Sequence, residues 1–117
     1  MTISRFSIAF LGLMLAGCAK NMPPANTELG RIVRIANYGV AAAKLKLFAE
    51  ARLNDPNGLR RELERAGFKR STFRDDEGTA CESFHWKGMK WGSVFPSVML
   101  VNLCGKEVFT NAGQIAP

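Results

Sequence analysis

Two stretches decide how this chain folds: Cys81-Glu82-Ser83-Phe84-His85-Trp86 and Met99-Leu100-Val101-Asn102-Leu103-Cys104. Placed antiparallel with Cys81 opposite Cys104, they put Phe84 opposite Val101 and Trp86 opposite Met99. Side chains of a strand point alternately to its two faces. Phe84, Trp86, Met99, Val101 and Leu103 then share one face, while Ser83, His85 and Asn102 share the other with the cysteines. One register therefore produces an apolar face and brings two thiols together.

Working outward, residues 68–117 read as short β-like runs separated by turns. A first strand is expected over 68–74, with poor alternation, followed by an acidic turn, Asp75-Asp76-Glu77-Gly78. The second strand is expected over 79–87 and the third over 97–104. Gly105-Lys106 reads as a two-residue hairpin leading to a fourth strand over 107–110. Residues 111–117 read as a tail. The expectation is an antiparallel meander of three to four strands with one disulfide.

Upstream the period changes to that of helices. Thr27 can cap a helix whose apolar face runs through Leu29, Val33, Ala36, Val40, Ala43, Leu47 and Ala51. Gly39 is costly inside a helix, and Asn37-Tyr38-Gly39 leaves open whether this is one helix or two shorter pieces. The small residues from Gly39 to Ala43 permit close approach of another element. Asp55 or Asn57 can cap a further helix with Pro56 in its first turn, and Leu59, Leu63 and Ala66 lie on its buried side. Arg60 and Glu64 are spaced to pair along that helix. Gly67 is placed to end it, with Phe68 folding back on Leu63. The fold class expected is α+β, with two N-terminal helices packed on the apolar side of the sheet.

The N-terminus carries a different message. Arg5 precedes a twelve-residue apolar run, 6–17, closed by Leu15-Ala16-Gly17-Cys18. The run is shorter than the roughly 20 residues that span a bilayer and has the length of a secretory signal. Over residues 1–18 the chain resembles bacterial lipoproteins, whose signal ends in such a lipobox. The resemblance implies that 1–17 are removed and that Cys18 becomes an acylated N-terminus. Two or more acyl chains give a stable anchor where one does not. Ala19, rather than Asp, implies an outer-membrane destination facing the periplasm. Residues 18–26, with Pro23-Pro24, read as a lipidated tether, and 27–117 as one small domain.

The full chain has 16 Lys and Arg against 10 Asp and Glu, and only Arg5 falls within 1–17. An exported basic domain rarely meets nucleic acid, so anionic lipid, a glycan or an acidic envelope protein is the partner class expected. Of the three cysteines, Cys18 is assigned to lipid, and Cys81 with Cys104 forms the disulfide expected of an exported domain.

No catalytic set, metal site or cofactor site is expected. His85 is the sole histidine, near Ser83, with no orienting acid specified. Asp75, Asp76 and Glu77 read as a solvated turn. Two surfaces suit binding. One is the segment holding Trp86, Lys87, Met89, Lys90, Trp91 and Phe95, where aromatic and cationic groups interleave. Folding of Trp91 and Phe95 back over the core edge is the competing outcome. The other is the basic run Arg60, Arg61, Arg65, Lys69, Arg70 and Arg74. The functional expectation is a membrane-anchored binding or accessory module of an envelope complex. A small envelope hydrolase or enzyme inhibitor, and a purely structural lipoprotein, are the alternatives.

Overall fold

The structure, a computed structural model, describes residues 22–90 and 92–115. The signal segment, Cys18, Ala19 and Trp91 lie outside the described residues.

The expected helical stretch is broken. Helix α1 spans Glu28–Val33, with the Thr27 side chain accepting from the Gly30 N–H. Helix α2 spans Tyr38–Glu50 and has its own cap, Asn37, whose side chain accepts from the Val40 N–H at 3.0 Å. The break corrects the expected apolar face. In α1, Leu29, Ile32 and Val33 are buried, and in α2 the buried positions are Ala41, Leu45, Phe48 and Ala49. Val40 is 46% exposed and Leu47 is 61% exposed. Steps of three and four cannot be counted across a break, because a new helix starts with a new axis and a new phase.

Helix α3 spans Pro56–Arg65, capped by Asp55, and buries Leu59 and Leu63. Gly67 has φ +99°, a conformation with a steric cost for residues bearing a Cβ. The chain reverses there as expected, with the Phe68 N–H donating to the Leu63 carbonyl and Phe68 buried.

Four strands follow, β1 Lys69–Arg74, β2 Ala80–Gly88, β3 Ser97–Cys104 and β4 Glu107–Gln114, in one antiparallel sheet ordered β1-β2-β3-β4. The β2–β3 register pairs Cys81 with Cys104, Phe84 with Val101 and Trp86 with Met99. Cys81 and Cys104 are disulfide-bonded with Cα atoms 4.4 Å apart, the spacing of a non-hydrogen-bonded antiparallel pair. The fold is therefore the expected α+β meander, with three helices among the described residues.

The fourth strand is longer than expected. Residues 111–114, read as tail, pair with β3 down to Ser97 opposite Gln114. Asn111-Ala112-Gly113-Gln114 has no strong β pattern of its own, but β3 offers a full row of backbone partners. Helix α2 lies against β4, where Ala41 is fully buried and the Thr110 hydroxyl donates to the Ala42 carbonyl at 2.7 Å.

All three helices cover one face of the sheet. Phe84, Trp86, Met99, Val101, Leu103 and Val108 meet the helix residues there in a single core. Arg52 joins the helices to one another, pairing with Glu28 and Glu62 while its guanidinium stacks 3.7 Å from the centre of the Phe48 ring. Glu82, on the helix side of β2, fastens α3 to the sheet. Its carboxylate accepts from Arg60 at 2.6 and 2.8 Å and from Arg70 at 2.6 Å. The expected Arg60–Glu64 ion pair does not form, since Arg60 reaches across to the sheet instead. The Arg60 hydrogen bonds, with Arg70 adding to them, hold the Glu82 carboxyl below the usual carboxylate range, against an opposing desolvation effect.

The folded body begins before Thr27. Pro23 is buried, its carbonyl accepts from Arg34 at 2.7 Å, and the Pro24 carbonyl accepts from the Thr27 hydroxyl at 2.7 Å. A Cβ on Gly30 would collide with the Pro24 backbone, so glycine is what lets this strap lie on α1. Residues 22–24, expected to belong to the tether, are thus part of the domain. No helix among the described residues is long and apolar enough to cross a membrane.

Candidate functional site

The residues expected to form a binding loop divide into two groups. Trp86 is 1% exposed and belongs to the core. Lys90 acts as a strut: its ammonium donates to the Ile35 carbonyl at 2.7 Å and lies 4.8 Å from the centre of the Tyr38 ring. Burial lowers its pKa. Beside it, the Tyr38 hydroxyl and the fully buried Ser97 hydroxyl share a hydrogen bond at 3.0 Å. The start of the loop is therefore tied to the break between α1 and α2. Lys87 is exposed and Met89 half-buried. Farther along, Val94 is 79% and Phe95 37% exposed.

The face of the sheet that no helix among the described residues covers presents aromatic side chains that were not singled out from the sequence. Phe73 sits opposite Cys81, and Phe109 sits opposite Asn102. Both lie on the cysteine face, at 39% and 53% exposure, flanking the disulfide. Between them Ser83 is buried, and the buried Asn102 Oδ1 has no hydrogen-bond partner among the described residues. Extending the Cys81–Cys104 register by one strand on each side would have found both phenylalanines. The poor alternation of Lys69–Arg74 hid one; Phe109 fell inside the expected strand over 107–110, but the register was not carried on from Asn102 to it.

Charge is unevenly distributed along the strands. A groove at the disulfide end is lined by Phe73, Phe109 and the carboxylates of Asp75, Asp76, Glu77 and Glu107, with no Lys or Arg among its described lining. At the opposite end, an open cleft is lined by Met22, Arg65, Lys69, His85, Lys87 and Met89, among others, and no described lining residue is acidic. The basic run expected from sequence is thereby split. Arg60 and Arg70 are engaged by Glu82, and Arg74 donates to the Gly78 carbonyl. Arg65 and Lys69 face the cleft.

Ser83 and His85 share a face as expected, but no hydrogen bond joins them among the described residues, and Ser83 is 8% exposed while His85 is exposed. Asp75 lies near both cysteine sulfurs. Those sulfurs are bonded to each other and supply no thiolate to a metal. The geometry offers contact surfaces: an apolar, acid-rimmed sheet face and a basic cleft. Comparison of the chain with protein-family models, curated proteins and solved structures finds no match.

Proposed function

We propose that this chain is a lipid-anchored protein of the bacterial envelope, held by acylated Cys18 at the periplasmic side of the outer membrane, whose domain serves as a binding or accessory module for an envelope protein. The observation that carries the module reading is the helix-free sheet face, where Phe73 and Phe109 stand exposed on either side of the disulfide. Exposed aromatic groups inside a polar rim are a common form of protein contact. The rim here is acidic, which favours a partner with basic groups around an apolar centre. The lipobox resemblance supports the address, and the Cys81–Cys104 bond is in keeping with an oxidising compartment.

A second surface is favoured by the exposure of Val94 and Phe95 on the loop between β2 and β3. The two can be separated by crosslinking in cells, solubilising the envelope and identifying captured proteins by mass spectrometry. Phe73→Ser with Phe109→Ser is expected to abolish the specific partner, and Val94→Ser with Phe95→Ser to leave it. The reverse pattern transfers the site to the loop. An unchanged partner set with both variants leaves a purely structural lipoprotein. Lys90 is unsuitable for this test, since its removal would also loosen the Ile35 contact.

A further inference from the structure

The strap that opens the domain fixes where the chain emerges. Pro23 and Pro24 are pinned to α1 through Arg34, Thr27 and the bare Cα of Gly30. Met22, packed against the core, lies in the wall of the basic cleft. From Cys18 to Met22 is four residues, a reach of roughly 14 Å when fully extended. A domain anchored at Cys18 is therefore held with this end close to the bilayer, at most about two Debye lengths away, each about 8 Å at physiological ionic strength.

The cleft is suited to that position. Arg65 and Lys69 have no ion pair among the described residues, and the exposed Lys87 lines the same cleft, where its charge adds to the local positive field whatever it contacts. The neighbouring groove contains Glu28 and Glu62, but Arg52 pairs with both. The carboxylates of Asp75, Asp76 and Glu77, with no ion pair among the described residues, lie at the far end of the strands, which a negatively charged bilayer repels.

We propose that the basic end of the sheet is the membrane-facing surface, with Arg65, Lys69 and Lys87 on anionic phospholipid head groups and the acidic end, carrying Phe73 and Phe109, turned away from the bilayer. The proposal rests on the acylation of Cys18 proposed above and adds an orientation to it. The short tether supplies proximity, and the charge asymmetry selects which way the domain stands. The sheet face offered to a protein partner is then the part farthest from the lipid.

Lysine reactivity tests this directly. The full chain is expressed in a bacterium, purified from membranes, and its acylation read by intact mass. It is then reconstituted in vesicles of phosphatidylcholine, with or without phosphatidylglycerol, and acetylated briefly. Lys69 and Lys87 lie at the proposed contact, and Lys106, in the distal hairpin, is the internal reference. Phosphatidylglycerol is expected to slow acetylation of Lys69 and Lys87 severalfold while leaving Lys106 unchanged. High salt or Arg65→Glu should remove the protection of Lys69, and the cysteine pair should stay oxidised throughout. Equal behaviour of Lys69 and Lys106, or protection independent of lipid charge, in an acylated chain overturns the orientation alone. A chain without acylation overturns the anchoring itself. Protection of Lys69 in native membranes but not in protein-free anionic vesicles replaces the lipid with an acidic protein.

Discussion

The two faces of the sheet are built by different means. On the helix side, Phe84, Trp86, Met99 and Val101 are at most 1% exposed and are held by contact with three helices. On the other side no helix among the described residues covers the strands, and a covalent bond between Cys81 and Cys104 joins two of them at their end. Apolar groups remain there in contact with water, as Phe73 and Phe109. The difference teaches which side is available for work. Burial has used the first face for stability, whereas the second retains aromatic surface that contributes little to folding.

Substitution should expose that contrast, most sharply in the core. Trp86→Ala is expected to cost about 3–5 kcal/mol, while Phe109→Ala costs less than about 1 kcal/mol. Urea melts of the two variants compare the faces directly, and equal losses would abolish the distinction. Next in size is the disulfide. Replacing both Cys81 and Cys104 by Ala should remove about 3 kcal/mol, because the bond closes a loop of sequence separation 23 in the unfolded chain. The same loss should follow reduction of the native protein before unfolding.

A smaller effect is expected at the α3–sheet junction. Glu82→Gln should cost about 1–2 kcal/mol at neutral pH, as it weakens the charge-assisted bonds from Arg60 and Arg70. The folded carboxyl has a lowered pKa, so its contribution is complete above the unfolded value of about 4.3 and is lost as pH falls through the folded value. Melts of wild type and Glu82→Gln should therefore converge in acid and diverge toward neutrality. The smallest stability change belongs to Asn102→Val, expected to lie within about 1 kcal/mol of wild type. It removes a buried carbonyl oxygen that has no hydrogen-bond partner among the described residues, so no bond is lost with it. A large destabilisation measured by thermal unfolding would show that Asn102 is bonded in solution.

Much of this architecture was legible beforehand. The β2–β3 register followed from the alternation of Phe84 and Trp86 with Ser83 and His85, tied to the spacing of the two cysteines. The cap Thr27, the choice between Asp55 and Asn57 for the next helix, and the stop at Gly67 were also readable, since each involves hydrogen bonds within a few residues. The candidate surfaces were less so. Trp86 fell both on the expected apolar face and in the expected binding segment, and it is core. Lys90 reads as a partner-binding group because a cation at a turn carries no sign of what lies above it, and it is a strut to Ile35.

By itself, then, the sequence determined whatever depends on near neighbours or on a strict period: the antiparallel register, the disulfide, the start of α1, the stop after α3 and the lipobox-like start. Tertiary structure alone decided the phase of α2 after the break, the extension of β4 through Gln114 and the docking of Pro23 and Pro24 on α1. It also decided which cations of the basic run are consumed by Glu82 and which face the cleft. The reason is physical. The extension of β4 and the ion pairs of Glu82 rest on contacts between groups far apart in the chain, and the energy that selects them exists only once both partners have been brought together.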